Sequence, residues 1–156
     1  MTQEHVGKYI KCIGNETKRW LNDALAVDGI TAPQAHILGF IHYNNTVTGQ
    51  KVCQRDIEET LHVRASSVTG VLASMEKNGT VRRVSAENDA RTKYVELTEY
   101  GEELALRGMA RINEMERVMF NGFSEEERDV VCSFLKRILQ NLKNDTEKNK
   151  ILIYIK

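Results

Sequence analysis

Basic side chains are concentrated in the middle of this 156-residue chain. Residues 64–93 carry six basic and three acidic side chains, a net charge of +3, whereas residues 1–63 carry −1 and residues 94–156 carry −2. A single basic patch on an otherwise acidic molecule gives an anionic partner one place to dock. Although the whole chain is neutral, the charge distribution favours a polyanion such as DNA as the partner.

A helix with small side chains on its outer face opens this basic segment. The apolar residues that recur at helical spacing, and that we expect to be buried, are Val68, Val71, Leu72 and Met75. The exposed positions near its start are Ser66, Ser67, Thr69, Gly70 and Ala73. Small residues let a helix lie deep in the major groove, and hydroxyls can contact bases or phosphates. Because a merely solvated face usually carries Glu and Lys, we interpret this helix as one that enters DNA.

Two stretches of alternating residues follow the helix and predict a β-hairpin. Val81 and Arg83 alternate with their neighbours, as do Val95 and Leu97, and the polar run SAENDART at residues 85–92 separates the two pairs. A short helix, a second helix and a two-stranded hairpin make a winged helix-turn-helix. The sequence therefore predicts a wing whose tip is this polar run.

Polar and charged side chains of the wing are expected to form its turn and to contact DNA. Asn88 and Asp89 can form the tip turn through local hydrogen bonds. Arg91 can enter the narrow minor groove, where negative potential is concentrated; pairing with Asp89 alone is the other interpretation, and the two roles can coexist. Basic side chains on the strands can bind phosphates. The predicted DNA-contacting residues are Arg64, Ser66, Ser67, Thr69, Gly70, Arg82, Arg83, Arg91 and Lys93, with Asp89 shaping the wing.

The flanking segments are predicted to be helical. Periodicity and capping patterns predict a first helix at about residues 5–27, a second from Thr31, a loop at Asn44–Gly49, a short third helix around Ile57 and Leu61, a fifth from Thr98 and a sixth from Ser124. Thr31 with Gln34, and Ser124 with Glu127, have the spacing of capping boxes. The fold class is mainly α with a small β-hairpin wing, a winged helix-turn-helix between N- and C-terminal helices.

The segment Asp56–Gly101 resembles the MarR (multiple-antibiotic-resistance regulator) family of bacterial transcription factors. The motifs that carry the resemblance are Met75-Glu76-x-x-Gly79, Val81-Arg82-Arg83, Asp89-x-Arg91, and Val95-x-Leu97-Thr98 followed by Gly101. Each motif alone is weak, but their combination in this order is specific. Met75 stands where leucine is usual, which is a volume-conserving substitution.

The resemblance implies a homodimer that binds a pseudo-palindromic operator, usually as a repressor relieved by a signal. The long amphipathic helices leave more apolar surface than one winged helix needs, which suits packing against a second copy. We therefore expect one domain at residues 1–145, with a reader lobe at about 30–98 and dimerisation helices at about 5–27 and 99–144. Residues 146–156 form a tail, for which a strand, an extended arm and an unstructured end all remain open.

The resemblance also implies where a signal would act. Family members bind small aromatic or phenolic ligands between the two lobes, and the candidate lining residues here are Trp20, His36, Phe40 and Tyr43. A second mode in the family is oxidation of a cysteine in the first helix. Cys12 lies about one turn from the expected position, near Gly7, so a thiol-based redox sensor is the alternative.

Several other function classes are disfavoured. Cys12, Cys53 and Cys132 are widely spaced, and the four histidines lack a His-x-x-x-His pair, so we expect no metal and no cofactor. No catalytic motif is present, so we expect no enzyme. Without a secretory signal or a transmembrane stretch, the protein is expected in the cytoplasm. A winged helix used only for protein contact remains an alternative, against which the basic wing argues.

Overall fold

The computed structural model describes residues 5–61, 64–86 and 89–154, and for residues 86, 89–92 and 146–154 it describes only the backbone. The elements are α1 (Val6–Ala26), α2 (Ala32–Tyr43), a π-helical turn (Asn44–Thr48), β1 (Val52–Cys53), α3 (Gln54–Leu61), α4 (Ala65–Lys77), β2 (Val81–Ala86), β3 (Asp89–Leu97), α5 (Glu99–Met119) and α6 (Glu125–Tyr154). The chain divides into two compact units, Met1–Glu116 and Arg117–Lys156. The predicted order of helices and hairpin, and with it the fold class, is confirmed.

Side-chain caps begin three of the helices, as their sequence patterns predict. The Thr31 backbone N–H donates to Gln34 Oε1 at 2.8 Å before α2, and Gly101 N donates to Thr98 Oγ1 at 3.0 Å in the first turn of α5. Before α6, Glu127 N donates to Ser124 Oγ at 3.2 Å, and Ser124 N donates to Glu127 Oε2 at 2.8 Å. These bonds satisfy N–H groups that a helix leaves without intrahelical partners.

The core of the first unit is built from helices α1 to α5 and the sheet. Its largest fully buried side chains are Leu25, Leu38, Ile41, Ile57, Leu72, Met75, Leu104 and Val68. The buried positions of α4 are those that the periodicity predicts, apart from Val71, which is half-buried. Helix α4 is thus packed against the rest of the first unit along this apolar stripe.

Two glycines let α5 pack closely on its neighbours. A Cβ added at Gly101 would lie 1.9 Å from the backbone oxygen of Thr80, and one at Gly108 would lie 3.2 Å from Ala35 Cβ on α2. The residue after Gly101 also joins α5 to α2, because Glu102 Oε2 lies 2.5 Å from His42 Nδ1. The start of β2 and the first half of α5 are therefore fixed relative to each other.

The sheet has three antiparallel strands in the order β1-β3-β2, one more than the predicted hairpin. β1 pairs Val52 with Val95, and β2 pairs Val81 with Leu97, with an irregularity between Ser85 and Ala86. The strands also extend into the polar run that we predicted as the tip, because residues 85–86 belong to β2 and residues 89–92 to β3.

Two other segments differ from the sequence prediction. Residues 44–48 form a π-helical turn rather than a loop, and Gly49 ends it in the left-handed region at φ 67°. At the C-terminus, α6 continues to Tyr154, so the described part of the tail is neither a strand nor an extended arm. Among the described residues, no helix combines the length and the apolar character that a bilayer span requires.

Candidate nucleic-acid interface

From residue 65 to residue 74, the exposed face of α4 is made of small side chains, as predicted. At 3.6 residues per turn, Ser66, Gly70 and Ala73 lie opposite the buried Val68 and Leu72, and all three are exposed. A Cβ placed on Gly70 would meet no atom within 4 Å. A surface this free of long side chains can approach base edges closely in the major groove.

Thr69 and Ser67 lie on opposite flanks of that face. The Thr69 hydroxyl donates to Ala65 O at 2.9 Å and accepts from Gln54 Nε2 of α3 at 2.9 Å. Ser67 lines a cavity on the other side of the helix. The structure thus brings Ser66, Thr69 and Gly70 together on one exposed surface and separates Ser67 toward the cavity.

The N-terminus of α4 has features that can bind an anionic group. Arg64 is the N-cap residue, in extended conformation at φ −71° and ψ 144°, and its side chain is exposed. A helix N-terminus favours negative charge through its free N–H groups and its dipole. In α3, Arg55 donates from Nε to Glu59 Oε1 at 2.8 Å, and this hydrogen bond raises the pKa of the Arg55 guanidinium.

The three basic side chains of the wing that the structure describes have partners within the chain. Arg82 donates to Glu96 Oε2 from Nε at 3.1 Å and from Nη2 at 3.0 Å. Arg83 Nε lies 3.8 Å from Glu76 Oε2, and Lys93 Nζ donates to Ser85 Oγ at 2.9 Å. These contacts are solvent-exposed, and such pairs contribute only about 0–1 kcal/mol, so a phosphate can compete for the cations.

The predicted wing-tip pair lies outside the part of the wing whose side chains are described. The backbone of Asp89 and Arg91 belongs to β3, but the contact between their side chains stays a prediction. The sequence analysis did not identify Glu96 and Glu76 as partners of these cations. The strand register, which pairs Arg82 with Glu96 across the sheet, is the signal that identifies Glu96.

An apolar cavity of about 510 Å³ lies in the first unit beside α4. Its lining residues are Thr17, Lys18, Leu21, Ala32, Pro33, His36, Ile37, Leu61, Ser67, Val68, Val71 and Met115. His36 Nδ1 lies 2.7 Å from Ala32 O, and because a carbonyl only accepts, Nδ1 is the donor. The neutral ring then offers Nε2 as an acceptor, and Lys18 supplies a positive charge.

Of the four predicted pocket residues, only His36 lines this cavity. Trp20 and Phe40 are partly buried against the core, and Tyr43 is exposed. The cavity contacts the first half of α2, and Phe40 and Tyr43 lie one and two turns beyond His36, roughly 6 and 10 Å along the helix. Lys18, Thr17 and Met115 were not predicted as lining residues, because periodicity does not show which parts of different helices lie close together.

Cys12, the candidate for redox sensing, does not line this cavity. Cys12 is exposed, and Cys53 and Cys132 are half-buried free thiols. Among the residues that the structure describes, no three His, Cys, Asp or Glu side chains are grouped so as to hold a metal ion.

Comparison with known proteins agrees with this geometry. A model of the MarR family matches residues 28–92. The chain is 31% identical over 120 residues to the uncharacterized HTH-type transcriptional regulator YfiV of Bacillus subtilis, covering 74% of this chain and 71% of YfiV. It is 33% identical over 73 residues to the homoprotocatechuate degradative operon repressor of Escherichia coli, a match that covers 47% of this chain and spans about half of that relative, 49%.

The fold is also similar to that of a solved regulator. The structure of the S. aureus MepR-DNA complex superposes with a TM-score of 0.82 at 24% sequence identity, covering 91% of this chain and 99% of MepR. A TM-score this high indicates the same fold. The chain belongs to the MarR family of winged-helix DNA-binding transcriptional regulators.

Proposed function

We propose that this protein is a homodimeric repressor that binds a pseudo-palindromic operator and is released by a small aromatic ligand. The observation that carries the proposal is the exposed face of α4, on which Ser66, Gly70 and Ala73 present no long side chain. The exposed cations Arg82 and Lys93 on the wing support it, since they can bind the phosphates that flank a major groove.

The relatives support the DNA-binding part and the repressing part separately. The MepR structure is by its name a complex with DNA, and the Escherichia coli relative is by its name a repressor.

The apolar residues exposed on α1 and α6 support a dimer. They include Val6 and Ile13, at 61% and 52% exposure, and Phe134, Leu135 and Leu139, at 53%, 47% and 48%.

The cavity beside α4 supports a ligand as the signal. Its volume of about 510 Å³ lies within the range of about 300–1,000 Å³ that ligand pockets occupy. Lys18 suits a carboxylate, the His36 acceptor suits a phenolic hydroxyl, and the remaining lining is largely apolar, so hydroxybenzoates are the ligand class that fits. Because Ser67, Val68 and Val71 belong to α4, a bound ligand would alter the position of the reading helix.

The test is a titration of DNA followed by fluorescence anisotropy. The probe is the duplex immediately upstream of the protein's own gene, and an unrelated duplex of equal length is the control, both over a series of salt concentrations. We expect much tighter binding to the upstream duplex, weakening as salt rises. Equal binding to both duplexes would contradict sequence-specific recognition, and no binding at low salt would contradict DNA binding altogether.

A charge variant extends the same titration. Arg82→Gln should weaken binding to both duplexes alike and reduce the slope of log K against log salt by about one for each wing. The matched control is Arg19→Gln, which removes an exposed arginine that pairs with Glu16 on α1 and should leave the slope unchanged. An unchanged slope in Arg82→Gln would contradict the role of the wing.

Transcription from the upstream fragment tests the direction of regulation. Added protein should lower the yield of transcript in vitro, and 4-hydroxybenzoate should restore it. A rise in transcript with added protein would contradict repression while leaving DNA binding intact.

A further inference from the structure

Thr69 lies between the exposed face of α4 and the preceding helix α3, and its hydroxyl is already engaged. Oγ1 donates its only hydrogen to Ala65 O at 2.9 Å, one turn earlier in α4. It also accepts a hydrogen bond from Gln54 Nε2 at 2.9 Å. A threonine hydroxyl has one donor and two acceptor sites, so no hydrogen remains for a base.

The chemistry of the neighbours fixes the orientation of the Gln54 amide. Gln54 Nε2 also donates to Glu58 Oε1 at 2.8 Å. Because an ionised carboxylate only accepts hydrogen bonds, the amide atom that faces Glu58 must be the NH₂ group. The same NH₂ group faces Thr69. The three side chains therefore form one network that joins α3 to α4 and holds the Thr69 hydroxyl against the protein.

This arrangement leaves Thr69 with an apolar surface to present. The residue is exposed, and apart from one remaining lone pair its free part is hydrocarbon. In the major groove, thymine is the base that offers a methyl group, and the threonine methyl is among the side-chain groups that recognise it. The neighbouring Gly70 leaves room for a close approach, since a Cβ there would have no neighbour within 4 Å.

We propose that Thr69 recognises the C5 methyl group of a thymine through its own methyl group, and that Gln54 is a positioning residue that turns the hydroxyl away from the DNA. The inference rests on the proposed function and assigns one element of its specificity. It excludes the bonds that a free hydroxyl would donate to guanine O6 or N7, to adenine N7 or to thymine O4.

Two substitutions at Thr69 separate the methyl group from the hydroxyl. Thr69→Val keeps the methyl and removes the hydroxyl, whereas Thr69→Ser keeps the hydroxyl and removes the methyl. The probe is the tightest duplex that the wild-type protein selects from a random-sequence pool. It is compared with copies in which single thymines are replaced by deoxyuridine, which lacks only the C5 methyl. Thermal unfolding checks that both variants are folded.

We expect Thr69→Val to bind the selected duplex within about twofold of wild type. Thr69→Ser should bind about fourfold more weakly per half-site, the effect of one methyl group lost from a contact. One thymine in each half-site should show the same loss with deoxyuridine for wild type and Thr69→Val. For Thr69→Ser the replacement at that thymine should have no further effect.

Two results would overturn the inference. Tight binding by Thr69→Ser with weak binding by Thr69→Val would assign the contact to the hydroxyl. If the wild-type protein binds every deoxyuridine duplex as tightly as the selected duplex, it does not recognise a thymine methyl group. If the wild type selects no sequence from the pool, the proposed function fails instead. The two failures are therefore distinguishable in one set of titrations.

A substitution in α3 tests the positioning role of Gln54. Gln54→Met should bring the ratio of affinities for thymine and deoxyuridine at the sensitive position toward one, with unrelated DNA bound as before. A loss of affinity that is equal for the thymine duplex, the deoxyuridine duplex and unrelated DNA would make Gln54 merely structural.

Discussion

At the scale of single residues, the junction between β2 and α5 depends on the absence of one side chain. A Cβ on Gly101 would lie 1.9 Å from the Thr80 backbone oxygen and 3.4 Å from Thr98 Oγ1. Because the nearest atom is backbone, the chain itself would have to shift. We expect Gly101→Ala to lower the free energy of unfolding by about 3 kcal/mol, measured by urea denaturation.

Gly70→Ala is the matched control, since it makes the same change in an exposed helix where no atom lies within 4 Å. Alanine favours a helix interior by about 1 kcal/mol over glycine, so this variant should be more stable than the wild type. If Gly101→Ala is as stable as Gly70→Ala, the backbone at the β2–α5 junction can shift to accept a methyl group without loss of stability, which contradicts the prediction.

The sequence predicts which residues of α4 are exposed but not what their polar atoms contact. Periodicity alone separates Val68 and Leu72 from Ser66 and Gly70. It cannot show that the Thr69 hydroxyl is bound by a side chain fifteen positions earlier, because that contact depends on how α3 crosses α4. The pairing of the wing cations with carboxylates depends in the same way on strand register.

At the scale of elements, the cavity beside α4 is where a ligand would influence the reading helix. Val71 is half-buried and lines the cavity from α4. We expect Val71→Phe to fill part of the space and to abolish release of DNA by 4-hydroxybenzoate, with affinity for DNA within about threefold of wild type. Anisotropy of the labelled upstream duplex, with and without the ligand, measures both quantities.

The control for that change is Val27→Phe. Val27 is 83% exposed at the end of α1 and does not line the cavity, so the same substitution should leave the response to the ligand unchanged. Release of DNA from Val71→Phe at the wild-type ligand concentration would exclude this cavity as the site.

Elements with a repeated pattern or a cap could be predicted, including the short helix α3, whereas the strand β1 and the π-helical turn could not. The capping boxes at Thr31 and Ser124 fix the starts of α2 and α6 within a residue or two. β1 contains only two residues, too few for an alternating pattern to be visible, and its pairing partner lies more than forty residues later. The π-helical turn at Asn44–Thr48 is likewise set by local backbone geometry that turn-forming residue types do not reveal.

At the scale of the whole molecule, helices α1 and α6 each carry several exposed apolar side chains. Val6, Ile10 and Ile13 on α1 and Leu135 on α6 are each at least 41% exposed. Exposed apolar positions that recur along one helix mark an interaction surface more often than scattered ones do. The partner that we propose for this surface is a second copy of the chain, because a dimer would present two copies of α4 to a pseudo-palindromic operator.

Phe134 offers the sharpest test of the proposed dimer, because it is a large aromatic side chain at 53% exposure on α6. Phe134→Glu places a charge on the proposed contact, and we expect a monomer by analytical ultracentrifugation. Loss of the second reading helix should then weaken binding to the two-half-site duplex by about 100-fold or more, since the two half-sites no longer act together. Binding to a single half-site should be unaffected.

Ser133→Glu adds the same charge at the exposed neighbouring position and should remain a dimer with wild-type affinity. A Phe134→Glu protein that still sediments as a dimer would locate the interface elsewhere, whereas a monomer with undiminished affinity would mean that one reading helix is sufficient.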